Sequence, residues 1–141
     1  MTRILSIVAS VFLASPAAAA ICGEDTSSDI PMFETAKTAF KSGDYRTFTR
    51  IVGNFFPDLK DNYDGYFGKL DELFPEGYDR CTTILQRRED PGFYQDMVLF
   101  FPKGYDAPMA VLLIGAKIDG EVRMIEFNYN TNISGVLDEL K

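Results

Sequence analysis

Residues Ala110 to Tyr129 read AVLLIGAKIDGEVRMIEFNY. Two apolar runs flank Asp119-Gly120, a pair suited to a tight hairpin turn in which both central residues take positive φ. Strict pairing across that turn places Ala110, Leu112, Ile114, Ala116 and Ile118 on one face with Ile125, Phe127 and Tyr129. Val111, Leu113, Gly115 and Lys117 fall on the other, with Val122, Met124, Glu126 and Asn128. The first face is expected to form a core. The second is mixed, and its Val111, Leu113, Val122 and Met124 offer a surface for a homodimer.

Upstream of the hairpin the period of two continues. Cys81 to Arg88 reads as a first strand and Phe93 to Phe101 as a second, with Glu89-Asp90-Pro91-Gly92 as the turn. Before Arg80 the spacing is helical. Ser27-Ser28-Asp29 ahead of Pro31 reads as a helix start, with proline in the first turn where no amide donor is needed. Phe33, Ala36 and Phe40 recur at helical spacing, and Gly43 is a left-handed stop. Asp44 caps a second helix with the stripe Tyr45, Phe48, Ile51, Val52 and Phe55, stopped by Pro57. A tetratricopeptide unit also pairs helices, but no second copy follows at the expected period. Leu59 to Phe74 predicts a third helix lined by Tyr63, Tyr66, Phe67, Leu70, Leu73 and Phe74, frayed at its start by Gly65 and Gly68. Thr131 to Lys141 predicts a short helix containing Val136, Leu137 and Leu140. The fold class is α+β: two to three N-terminal helices packed on a four-stranded antiparallel meander.

Helices with a Gly43-Asp44-Tyr45 corner, followed by a sheet ending in the Ile118-Asp119-Gly120 hairpin, resemble the nuclear-transport-factor-like and cystatin-like α+β cone superfamily. The resemblance implies a pocket between helices and a curved sheet, with Tyr63, Tyr66, Ile125, Phe127 and Tyr129 facing it. Enzymes of that superfamily place an Asp-His or Asp-Tyr-Arg group in the cone. This chain has no histidine, so the Asp-His group is absent and the resemblance assigns no catalytic residue.

The first twenty residues have the form of an export leader. Arg3 is followed by a short apolar run, Ile4 to Leu13, and by Ala18-Ala19-Ala20. The run is shorter than the ~20 residues a bilayer span needs. Cleavage near Ala20 is expected, leaving one domain from Ile21 to Lys141 in a bacterial periplasm or secreted medium; an uncleaved anchor is the alternative. Without Arg3, 13 basic residues face 21 acidic ones, a net charge of −8. That charge repels phosphate backbones and anionic lipid, so neither a nucleic acid nor a membrane is expected as partner. It leaves a basic protein or a small molecule. In an oxidising compartment Cys22 and Cys81 predict one structural disulfide, since a redox pair lacks Cys-x-x-Cys spacing. Asn132-Ile133-Ser134 matches a glycosylation acceptor, which a bacterial leader makes irrelevant.

The lack of histidine removes the commonest general base and zinc ligand, and oxidised cysteines remove a thiolate nucleophile. No catalytic residue, cofactor or metal is expected. Asp58, Asp61, Asp64, Asp71, Glu72, Glu76 and Asp79 form an acidic stretch. Its spacing of three does not fit a calcium loop, so it reads as a solvated face or a docking surface for a basic partner. Phe74-Pro75-Glu76-Gly77-Tyr78-Asp79 is echoed by Phe101-Pro102-Lys103-Gly104-Tyr105-Asp106, and in truncated form by Phe56-Pro57-Asp58. Each echo is a stop-and-turn. The functional reading brings Tyr78, Asp79, Tyr105 and Asp106 to one rim; the simpler reading is two similar turns. Among the tyrosines, Tyr63, Tyr66, Tyr94 and Tyr129 need hydroxyl partners if buried. Arg87-Arg88 ahead of Glu89-Asp90 reads as a solvated, locally paired strand end. Three functions remain: a small-ligand binding module, an inhibitor or immunity-like interaction module, and an enzyme built on an Asp/Tyr/Arg pair in the cone.

Overall fold

A computed structural model of the chain describes residues 21–23, 30–53 and 56–140. The leader, the capping residues Ser27, Ser28 and Asp29, and Phe55 lie outside the described residues. Among those described, helices α1 (Pro31–Lys41), α2 (Tyr45–Val52), α3 (Asp58–Asp61) and α4 (Tyr63–Leu73) come first. Strands β1 (Tyr78–Glu89), β2 (Phe93–Pro102), β3 (Met109–Ile118) and β4 (Glu121–Asn130) follow, and then α5 (Ile133–Leu137). The sheet runs β1-β2-β3-β4 with every neighbour antiparallel, the expected α+β meander behind N-terminal helices. No helix among the described residues is long and apolar enough to cross a membrane.

Local chemistry accounts for the helix ends. Pro31 opens α1 with no side-chain cap from Ile30. At the other end Gly43 takes φ +74°, its N–H donates to Phe40 O, and the Asp44 N–H donates to Ala39 O, both at 3.0 Å. These two bonds use carbonyls the helix leaves open, as a left-handed glycine cap does. Asp44 then caps α2 by accepting from Thr47 N at 3.0 Å, and hydrogen bonds from Thr47 hold its carboxyl below the usual carboxylate range. The expected single third helix is divided at Asn62, whose φ of −129° and ψ of 41° leave the helical region. Gly65 lets the Asn62 side chain fold over α4: a Cβ there would lie 2.4 Å from Asn62 Oδ1, and that side chain would have to swing away.

The hairpin turn forms as its residues dictate, with Asp119 at φ 52° and Gly120 at φ 83°. The register beyond it differs from strict pairing. Gly115 faces Met124, yet Ile114 faces Glu126 and Leu113 faces Phe127, so one extra residue of β4 bulges out between them. A one-residue insertion carries every later side chain to the opposite face. Phe127 and Tyr129 therefore join Val111, Leu113 and Met124 beneath the helices, instead of Ala110, Leu112 and Ile114. Val111, Leu113 and Met124 are core residues, which corrects the expected homodimer surface.

Both faces of the sheet are covered. On the helical side, the buried Phe40 ring touches those of Tyr45, Phe48, Tyr78, Phe100 and Tyr129, with centroids 4.9 to 6.2 Å apart. On the other side, Met97, Ala110, Leu112 and Ile114 pack with Val136 of α5, and with Ile133 and Leu140 around it. The Cys22–Cys81 disulfide is formed, with sulfurs 2.02 Å apart and a sequence separation of 59. On the chain-entropy argument a loop of that length contributes roughly 4 kcal/mol. Cys22 O also accepts the Thr83 N–H, which adds residues 21–23 to the rim of β1.

The two echoed turns share a left-handed glycine, at Gly77 (φ 71°) and Gly104 (φ 75°), but differ in surroundings. A Cβ on Gly77 would sit 2.2 Å from Lys41 O and 2.7 Å from Gly43 N, whereas one on Gly104 meets nothing within 4 Å. Gly77 thus lets the α1–α2 corner rest directly on the turn before β1. Gly104→Ala should cost only the left-handed penalty of about 1 kcal/mol. Gly77→Ala should cost at least ~3 kcal/mol, because backbone must also move; urea unfolding of both variants measures the difference.

Candidate functional site

A cleft of about 510 Å³ opens between the α3–α4 segment and the end of β4. Its walls are Phe56, Pro57, Asp58 and Leu59, Tyr66 of α4, and Phe127, Asn128 and Tyr129 of β4. The rings are held from behind. Phe127 meets Phe56 edge-on at 5.1 Å and Phe48 at 5.5 Å, and Tyr129 stacks on Phe67 at 5.5 Å. The Tyr129 hydroxyl donates to the Tyr66 carbonyl oxygen, tying β4 to α4 across the cleft. The one carboxylate in the wall is that of the exposed Asp58. Such a site is pre-formed, largely apolar, of small-molecule size, and rich in ring faces.

Tyr66, Phe127 and Tyr129 thus share one wall. Tyr63 and Ile125 are not in this wall. At Tyr63 the hydroxyl donates to Asp71 Oδ2 at 3.0 Å and the Arg46 guanidinium covers the ring at 4.2 Å. Tyr63 lines a separate hollow with Arg46, Thr49, Arg50 and Leu59. Ile125 stands at the bulge and is exposed, because the extra residue has no facing partner to turn it inward. Tyr94 packs at the margin of the helical-side core.

The echoed motifs meet, though not as a rim of four. The turns are neighbours, with Tyr78 paired to Pro102, Tyr105 edge-on to Phe74 at 5.6 Å, and Lys103 Nζ 3.6 Å from Glu76. Tyr78 is buried, its hydroxyl 3.2 Å from that of Tyr45, and it is core. Asp79, Tyr105 and Asp106 are exposed. All seven carboxylates from Asp58 to Asp79 are exposed as well. Among the described residues no cluster of three or more carboxylates and cysteines is arranged to hold a metal.

The feature that sequence reasoning missed lies under α1. Asp96 of β2 is fully buried, with Oδ2 2.7 Å from Lys37 Nζ and Oδ1 2.6 Å from an Arg88 guanidinium nitrogen. Lys37 is 1% exposed and also binds Glu34 Oε1 at 2.7 Å. Arg87 pairs with Glu89 as a strand end would, whereas Arg88 turns inward, which corrects its reading as solvated. This is an Asp/Arg pair inside the fold, but both carboxylate oxygens are occupied by cations. Strand alternation places Arg88 opposite Arg87, and that was the one signal available in the sequence.

Burial shifts the tyrosines. It pushes the Tyr45 hydroxyl up to about 12, with the Tyr78 hydrogen bond opposing. It also raises Tyr63, Tyr78 and Tyr129, aided by the Asp71 hydrogen bond at Tyr63 and the Tyr45 hydrogen bond at Tyr78. A folded pKa above the unfolded value of ~10 gives stability that is full below pH ~10 and lost as pH rises further. In an absorbance titration these four of the seven tyrosines should ionise only with cooperative unfolding, above pH ~10; ionisation of all seven before the circular dichroism changes would contradict this. No protein-family model matches the chain, and no curated protein or solved structure matches it.

Proposed function

We propose that the protein is an exported binding module that holds a small ligand in the cleft beside the end of β4. The observation that carries the reading is the convergence of Phe56, Tyr66, Phe127 and Tyr129 on one opening with a single carboxylate, Asp58, in its wall. Ring faces favour a flat or compact apolar body, and the carboxylate favours a hydrogen-bond donor or a cationic group on it. The disulfide and the leader's composition support export. Kinship with the nuclear-transport-factor-like and cystatin-like proteins, resting on layout, belongs to the same proposal.

Native mass spectrometry of the full chain, exported and purified from a bacterial periplasm, tests it. A retained small molecule is expected. Tyr129→Ala and Tyr66→Ala should each weaken its binding about tenfold or more, the equivalent of ~1.4 kcal/mol. Unchanged affinity in both variants would sink the reading.

A second reading is carried by the seven exposed carboxylates from Asp58 to Asp79: an inhibitor or immunity-like module that docks a basic protein. Exposed charges are screened beyond ~8 Å at physiological salt. Partner affinity should then fall at least about tenfold between 50 and 300 mM salt by the same screening argument; salt-insensitive binding would exclude this mode.

A further inference from the structure

Ile21, the residue expected to lead the exported chain, is seated on a charge. Its backbone nitrogen donates to Glu34 Oε2 at 3.1 Å. The other oxygen of Glu34 binds Lys37 Nζ at 2.7 Å, Lys37 reaches Asp96 at 2.7 Å, and Asp96 reaches Arg88 at 2.6 Å. The neighbouring Cys22 is fixed twice, by its disulfide to Cys81 and by the bond from Thr83 N to its carbonyl oxygen. The Ile21 side chain packs against the helical-side core. Position 21 is therefore held at Glu34 by covalent, hydrogen-bonded and apolar contacts together.

We propose that hydrolysis of the Ala20–Ile21 bond creates an α-ammonium group at Ile21 that docks on Glu34 and completes a line of alternating charge, Ile21–Glu34–Lys37–Asp96–Arg88. This rests on the export reading given above. A leader peptidase adds water across the bond; Ala20 keeps the new carboxylate, and the released Ile21 amine takes up a proton. One amide donor thereby becomes an ammonium with three donors and a full positive charge. A hydrogen bond of that kind to a carboxylate is roughly twice as strong as a neutral one. The groups facing the ammonium along the line are Glu34 and Lys37 from α1, Asp96 from β2 and Arg88 from β1. Lys37 opposes the new charge, and Asp96 offsets Lys37. Leader removal is then a stabilising event as well as a release step, because the tie from Ile21 to Glu34, a single amide hydrogen bond in the precursor, becomes an ion pair in the mature chain.

The test uses the full chain, exported and purified oxidised. Its intact mass should place the first residue at Ile21. Reductive methylation with carbon-13 formaldehyde leaves the α-amine charged and gives it a resonance whose midpoint can be titrated. That midpoint should lie about one unit above the ordinary 7.7–8.0, and it should return to the ordinary value in Glu34→Gln. Glu34→Gln should also lower Tm by about 3–6 °C. If Glu34→Gln does not fold, Glu34→Asp keeps the charge at a longer reach and should give an intermediate midpoint. A first residue other than Ile21 overturns the processing step. Ile21 at the N-terminus with an unshifted midpoint overturns the docking and leaves export standing.

Discussion

The single extra residue in β4 decides which side of the sheet receives that strand's aromatic rings. Up to Met124 the strand follows the two-residue turn; beyond Ile125 every side chain has changed face. Without the bulge, Glu126 and Asn128 would lie under the helices, where carboxylate and amide lack partners and burial costs several kcal/mol. With it, Phe127 and Tyr129 meet Phe48, Phe67 and Phe40. The cleft wall is the outer margin of this same ring cluster, so the site exists because of a register choice made at the hairpin.

Charge plays a different part from the aromatic core. An ion pair as deeply buried as Lys37–Asp96 adds little over well-packed apolar residues, since desolvation offsets most of its attraction. Its value is positional. A buried lysine and a buried aspartate each demand a partner, and only one seating of α1 over β2 and β1 brings Lys37 to Asp96 while Asp96 also meets Arg88. Ring contacts tolerate sliding by an ångström or two, and this contact does not. The helical layer is held to the sheet by the rings and aligned on it by the ions.

Much of the fold could be read before any coordinates, because the signals were local. Asp119-Gly120 named its turn, Gly43-Asp44 named its corner, and two cysteines in an oxidising context named their bond. The register was hidden for a physical reason: Ala110 to Ile114 are buried on both faces, so β3 shows no alternation of polar and apolar residues that would reveal a slip. Gly65 and Gly68 signalled a weak start to the third helix, but the break itself was hidden because neither proline nor glycine stands at Asn62. Arg88 and Lys37 were hidden because their partner lies on another strand, and charge in sequence does not say where it points. Within the cleft, Tyr66, Phe127 and Tyr129 were legible as aromatic residues that helices and sheet could bring together. Phe56 was seen only as part of a truncated turn and Asp58 as that turn and the start of an acidic stretch, since their place beside β4 depends on the bulge.

The order of elements along the chain has a consequence for how the molecule is made. The helices α1 to α4 emerge before the sheet that covers them, and the rings of Phe40 and Phe67 wait for Phe100, Phe127 and Tyr129. Ties between distant positions close the structure: Cys22 to Cys81 across 59 residues, and Tyr129 to Tyr66 across 63. A chain lengthening from its N-terminus thus has short helices, each too short to persist alone in water, whose rings can meet only one another until the strands follow. The helical layer therefore gains its sheet-side partners only late in synthesis, and the outer face of the sheet is covered later still, when α5 follows β4.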